Sequence, residues 1–424
     1  MPTDRRYASV TARSFVVIFF LATLLAGEMS GGELPQPAGQ NPNPTDEIAT
    51  GKNRNTASRG DVAGWFASGQ AALQSGDLSV AESFFRRVIA ADPRSGAGYA
   101  NLGVIAMRRK EWDRALRLLA KAATLEPKMS GIQLNIGLVE YRRGNYSAAI
   151  APFSTVLRDQ PDAQQPRYLL GLCQVFTERY ADAVSTLQPL WAPLSGDIMY
   201  LYVLGIAAHN AGQKELDETA LTQLLNVGGD TPQFHLILGK AYLNREENQK
   251  ALAELQRAAD ANSNLPLVHF SLGAAWMRAG ESARAVEEFQ KDMAIEPDLP
   301  DNYEQLGMAY ARLEKELQAE KNFREALRLD RHRAASYFGL SKLYFKQQKY
   351  SEALKCADAA LKILPDNQSV HLLRGQVLMR SGHREEGQKE FAAARKIMDS
   401  SLQKDRQALA QDPVPNPELV REPN

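Results

Sequence analysis

Little in this sequence favours chemistry at a fixed centre. Its 424 residues include two cysteines and six histidines. Two thiols cannot build a disulfide framework or a four-thiolate zinc site. No two histidines sit at the i, i+4 spacing of a metal-binding helix. Charge of either sign is not in excess: 50 Lys plus Arg meet 50 Asp plus Glu. A nucleic-acid partner is therefore not expected, because that footprint needs a basic excess or stripe. The segment Leu238-Gly239-Lys240 is no phosphate loop, since Ala241 stands where Ser or Thr is needed and no strand precedes it. No catalytic constellation, metal set or cofactor motif emerges, and the chain reads as a non-enzyme. Apolar residues at 44% and charged residues at 24% make the bulk of it globular.

The N-terminus reads as an export signal. Arg5, Arg6 and Arg13 precede the apolar run Phe15–Ala26, broken only by Thr23. Spanning a bilayer takes about 20 apolar residues, and a shorter run behind a basic segment fits a secretory signal peptide. Small residues at Ala26 and Gly27 place cleavage near 27, so 1–27 is read as signal. An uncleaved inner-membrane anchor at 15–26 is the alternative. Glu28 stands where a lipoprotein needs Cys, and Tyr7-Ala8-Ser9 does not complete a twin-arginine motif. Residues 28–61 carry Pro35, Pro37, Pro42 and Pro44 and no periodicity, which predicts a disordered linker. A similar tail is expected at 411–424.

What is present in abundance is a repeat. From Val62 in steps of 34, the eighth slot holds Gly69, Gly103, Gly137, Gly171, Gly205, Gly239, Gly273, Gly307, Ser341 and Gly375. Nine glycines in ten far exceed the background of about 7%. The twentieth slot is Ala in eight units, with Asp217 and Gly387 as exceptions. The twenty-fourth is large and apolar, as in Phe85, Leu119 and Phe153, with Ala357 as the exception. Two apolar stripes at helical spacing lie within each unit, and the break between them carries Gly76, Gly144, Gly212, Gly280 or Gly382 in half of them. Each unit is predicted as helix, turn, helix. Small slots let the two helices approach, and large ones fill the space around the contact. Pro93, Pro127, Pro161, Pro297 and Pro365 stop the second helix.

These columns resemble the tetratricopeptide repeat (TPR) family over residues 62–401, as Tyr99, Leu102, Gly103, Ala115, Leu119, Ala122 and Pro127 illustrate. The resemblance implies an all-α, right-handed superhelical solenoid of about ten repeats. Residues 402–410 are predicted as a capping helix over the last apolar face. Repeats 4 and 5 depart from the pattern. Pro189 should end the second helix of repeat 4 early. Asp217 in a small slot predicts a shifted or loosely packed helix, and Gly228-Gly229-Asp230 breaks the chain. A local change of curvature at 189–231 or a merely degenerate repeat would both fit. His235, His269 and His371 share the fourth slot and read as packing residues. Cys173 and Cys356 lie more than five repeats apart, too far for a disulfide in a solenoid.

In the TPR family the first helices line a concave groove that binds partner segments. Carried onto this chain, that mapping nominates Asn101 and Asn135, whose amides can pair with a peptide backbone. It also nominates the basic thirteenth slot, including Arg108 and Arg142, either as a row facing a partner or as a solvated face. The chaperone-binding carboxylate clamp would need Phe66, Gln70, Asn101, Gly131 and Asn135 to be Lys, Asn, Asn, Lys and Arg. Only Asn101 matches. Repeats 4 and 5 place apolar residues in the groove slots: Tyr168, Leu172, Phe176, Met199, Tyr202 and Ile206. They predict an exposed patch, hence an interaction site, unless another part of the chain covers them. The expected function is a non-enzymatic scaffold binding proteins or peptide segments outside the cytoplasm, in the periplasm or secreted. The alternative is a non-catalytic adaptor subunit of an exported cell-envelope or polysaccharide assembly system. Membrane contact is expected only if the N-terminal segment stays uncleaved.

Overall fold

The 34-residue period appears directly as geometry. A computed structural model describes residues 59–411, and every regular element among them is helical. The expected signal, nearly all of the linker and the tail beyond 411 lie outside the described residues. The first helix, Arg59–Gln74, begins three residues earlier than the repeat pattern predicts. Repeat 2 sets the standard: Gly96–Arg108 and Trp112–Leu125 occupy slots 1–13 and 17–30. The same bounds recur in repeat 3 as Ser130–Arg142 and Tyr146–Asp159, and in repeat 9 as Ala334–Lys346 and Tyr350–Ile363.

Slot 8 sets the distance between the paired helices. A Cβ added to Gly137 would lie 2.6 Å from Cε1 of Phe153, and one on Gly273 would lie 2.5 Å from Cε1 of Phe289. Only a hydrogen fits there, so the large residue of slot 24 closes onto bare backbone. Repeat 9 reverses both choices. Ala357 replaces the large residue, and the vacated space holds Ser341, whose Oγ donates to the carbonyl of Ala353 at 2.8 Å.

The turn is equally regular. Slot 15 adopts positive φ in all ten repeats, between 57° and 91°. Glycine fills it five times; Lys110, Glu178, Glu246, Glu314 and Gln348 fill the others. A side chain in the left-handed region costs about 1 kcal/mol or more. Glu178→Gly and Glu314→Gly are each expected to stabilise the chain by about 0.5–1 kcal/mol. Urea unfolding followed by helical circular dichroism checks this, and a lower midpoint in both variants would refute it.

Repeat 4 follows the expectation for Pro189. Its second helix, Tyr180–Leu187, gives way to a 3-10 turn, Gln188–Leu190, and a one-turn helix, Trp191–Leu194. The carbonyl of Leu187 instead accepts from the hydroxyl of buried Tyr200 at 3.1 Å. Repeat 5 corrects half of its expectation. Lys214–Val227 keeps slots 17–30 and is not shifted along the chain. It is loosely packed: Ala220 and Leu224 are buried while Leu221 is only half-buried, so slot 23 replaces slot 24 at the contact. A Cβ on Gly205 would find nothing nearer than 3.8 Å. Asp217 is satisfied in its small slot by Nδ1 of His209 at 3.0 Å.

Repeat 7 departs where no departure is expected. Leu267 has φ of 66°, and the first helix starts late, at Val268. Its open N-terminus is closed from the second helix. The buried carboxylate of Asp292 accepts from the amide of Phe270 at 3.0 Å and from Nδ2 of Asn302 at 2.9 Å. Burial nonetheless holds the Asp292 carboxyl above its ordinary range. The C-terminus also differs from expectation. Instead of a separate cap at 402–410, one helix runs unbroken from Arg384 to Gln411. No proline or glycine follows Gly387 within it, and Asp399 stands at slot 32, where five other repeats carry Pro. The chain divides between Gly229 and Asp230 into two compact units, each taken by itself below.

Candidate partner-binding surface

The expected apolar patch is not exposed. Leu172, Phe176, Met199, Tyr202 and Ile206 are all buried, none more than 6% exposed, and Tyr168 is half-buried. Phe176 stacks on Tyr146 with ring centroids 4.1 Å apart, and Tyr168 lies 6.5 Å from Tyr200. The helix Ile198–Asn210 is buried from Met199 to Leu204 and from Ile206 to Ala208. A helix apolar on every side is buried on every side. That rule overrides the groove mapping here, and these six residues form core rather than a docking face.

The asparagines part company. Asn101 is buried and spends its Nδ2 on the carbonyl of Ala97 at 2.9 Å, one turn back in its own helix. Asn135 is half-buried beside half-buried Gln133, Leu134 and Ile136. Only the second of the two is open enough to meet a partner.

The basic slot has a structural task that its spacing did not reveal. Arg108 donates from Nη1 to the carbonyl of Leu73 at 2.7 Å, and Arg312 to that of Met277 at 2.8 Å. Arg278 reaches the carbonyl of Leu243 in the same way. Each acceptor lies 35 residues back, at the end of the preceding repeat's first helix. The guanidinium thereby satisfies a terminal carbonyl and complements the negative end of the helix dipole. Lys346 pairs instead with Glu316 at 2.8 Å, and Arg380 is exposed. A row of cations facing a partner is therefore corrected to a set of ties between neighbouring repeats.

Arg142 differs from all of these. It is half-buried and makes no hydrogen bond or ion pair with a described residue. Burial, with Arg108 nearby, pushes its guanidinium below the usual arginine range. It lines an open cleft of ≈ 690 Å³ between the turns of repeats 2 and 3. Lys110, Glu111, Trp112, Asp113, Arg114 and Arg143 also line it. Arg114 is already committed, to Glu111 and Glu82 at 2.6 Å each. Hydrogen bonds from Arg86, Arg114 and Arg109 hold the Glu82 carboxyl down at about 2, against its partial burial.

The fourth-slot histidines pack at the core edge and each finds a carboxylate in slot 23. Nδ1 of His235, His269 and His371 lies 2.7 Å from Glu254, Glu288 and Glu390 respectively. The slot-23 glutamate recurs in the sequence 19 residues after each of these histidines, a signal that reading them as packing residues alone passes over. His235 also meets Asp230 at 2.8 Å. Burial opposes its charge, but the bonds to Asp230 and Glu254 outweigh it and raise its pKa. A raised histidine stabilises the fold below its unfolded value near 6.5, and that gain is lost as pH rises through the folded value. His235→Gln is expected to flatten the fall in melting temperature between pH 6 and pH 8. Identical pH profiles for parent and variant would refute the clasp.

Among the described residues, no group of three His, Cys, Asp or Glu is placed to hold a metal ion. Cys173 is buried and Cys356 half-buried, both as free thiols. No described helix is long and apolar enough to cross a membrane. Tetratricopeptide repeat profiles match residues 66–130, 134–188, 202–266, 236–296 and 314–377. The chain belongs to the tetratricopeptide repeat family.

Members of this TPR family are protein-interaction scaffolds, binding proteins or peptides and typically without catalysis. A TPR protein of Parabacteroides merdae is similar in fold, with TM-score 0.50 and 18% identity, covering 59% of this chain and 99% of its own. Yeast Tom70 reaches TM-score 0.41 at 12% identity, covering 82% and 95%. MamA of Desulfovibrio magneticus RS-1 reaches 0.38 at 19%, covering 41% and 97%. No curated relative matches the sequence.

Proposed function

We propose that this TPR protein is a non-enzymatic scaffold that binds partner segments outside the cytoplasm. The observation that supports the binding role is the division of labour within each 34-residue unit. Slots 8, 20 and 24 are consumed by packing the helix pair, and several slot-13 arginines by tying it to its neighbour. Chemistry is left to what remains at the surface, and a preorganised helical surface holds a segment at little conformational cost. Export rests on the basic and apolar N-terminal residues alone. An adaptor role in cell-envelope or polysaccharide assembly is the narrower form of the same reading.

Affinity capture tests it. The full mature chain is immobilised and exposed to the extracytoplasmic fraction of the source cell. A defined protein, identified by mass spectrometry and rebinding when purified, supports the scaffold. Catalytic turnover by the purified chain, or no retained protein from any fraction, would overturn it. Sequencing the mature N-terminus tests export: a start near residue 28 supports cleavage, and an intact Met1 supports an anchor.

A further inference from the structure

We infer that the cleft between the turns of repeats 2 and 3 receives an acidic peptide segment, with a carboxylate of the partner seated on Arg142. This deepens the scaffold reading and rests on it. Three slot-13 arginines, Arg108, Arg278 and Arg312, satisfy a backbone carbonyl of the preceding repeat, and Arg380 is exposed. Arg142 does neither. Its guanidinium is half-buried, makes no hydrogen bond or ion pair with a described residue, and lines an open cleft. A partly desolvated cation is strongly favoured by a bidentate anion, which guanidinium geometry matches.

The rest of the lining selects the kind of anion. Lys110 adds positive charge, whereas Arg143 is already paired with Asp113 at 3.5 Å and Glu140 at 3.6 Å, and Glu111 with Arg114. A polyanion laid across the cleft would bring neighbouring charges against the carboxylates of Glu111 and Asp113. A peptide can place one acid on Arg142 and turn its other side chains away. Trp112 offers a flat apolar surface for the residue next to that acid. The cleft is open and ≈ 690 Å³ in volume, room for a few residues rather than an ion alone. The exactly balanced charge of the chain makes such recognition local, not a field effect of the whole molecule.

The test uses the full chain and a panel of immobilised hexapeptides of the pattern acidic, apolar, acidic. Each has a counterpart with Gln and Asn in place of the acids. Parent protein is expected to bind members of the acidic panel and to lose at least tenfold in affinity in Arg142→Gln. Arg142→Lys is expected to lie between them, and Arg380→Gln, at an exposed slot-13 position, to match the parent. Unchanged helical circular dichroism and melting temperature show that Arg142→Gln is folded. Equal binding of the neutral counterparts, equal binding by Arg142→Gln, or no peptide bound at all would overturn the proposal. So would inorganic phosphate that competes as strongly as the best peptide, since the cleft would then be a simple anion site. If a partner is captured equally by parent and Arg142→Gln, the scaffold stands and this cleft falls. If the parent captures nothing, the scaffold reading itself falls.

Discussion

Gly137→Ala is expected to destabilise the chain by about 1–3 kcal/mol, whereas Gly205→Ala, at the same slot two repeats on, should stabilise it by about 1 kcal/mol. The added methyl of the first would lie 2.6 Å from Cε1 and 2.7 Å from Cδ1 of Phe153. That ring is fully buried and cannot rotate away, so the helix pair must open. Overpacking of this kind costs about 1–3 kcal/mol, which the better helix propensity of alanine only partly offsets. At Gly205 the nearest atom would be Cβ of Ala220, at 3.8 Å. The methyl fits, and the propensity gain of about 1 kcal/mol remains. Urea midpoints of both variants decide it. Equal effects would mean that slot 8 does not set the approach of the two helices.

The second large effect is expected at Arg333, and its loss should cost about 3–5 kcal/mol. This arginine is the last residue of repeat 8. It donates to both oxygens of Asp301, at 2.9 and 2.5 Å, and to Glu304 at 2.8 Å. Ser336 of repeat 9 completes the group by donating to Glu304 at 2.8 Å. Asp301, Glu304 and Ser336 are all buried. One guanidinium thus serves two carboxylates, and Arg333→Ala would leave both buried without a cation. The pH response separates this from a simple packing loss. Burial pushes the Asp301 carboxyl up to about 6, Glu304 reinforces the shift and Arg333 opposes it. The folded state therefore holds this proton more tightly than the unfolded chain, whose ordinary value is 3.8. Stability gained by protonation grows as pH falls from about 6 towards 4. Without Arg333 the shift enlarges, so lowering pH from 7 to 5 should recover part of the loss. A loss below 1 kcal/mol, or one that does not change with pH, would contradict the network.

Much of the molecule could be read in advance because its packing is local. Slots 8, 20 and 24 of one unit meet each other within about 16 residues, and the same solution is repeated ten times. Pro189 was equally legible, since a proline removes an amide from the helical ladder and the helix ends just before it, although Tyr146–Asp159 carries Pro152 without ending. The left-handed turn at slot 15 was visible only where it is glycine. Lys110, Glu178, Glu246, Glu314 and Gln348 adopt it because the flanking helices impose it. The site was far less legible. The apolar residues of repeats 4 and 5 carry the composition of a docking patch and of a core alike, and burial made them core. Asn101 had the right slot, but its amide was turned to Ala97.

By itself, the sequence determined the all-α repeat, its period, its helix-turn-helix unit and the break at Pro189. Each follows from periodicity, from glycine and alanine where helices must touch, and from proline where they must end. Tertiary structure decided which polar groups have partners. Slot 13 is equally basic at Arg108 and Arg142. Yet one guanidinium reaches a carbonyl of the preceding repeat, while the other, held half-buried in a cleft, does not. That difference depends on how successive units stack, through atoms about 35 residues apart, and no column of the repeat records it.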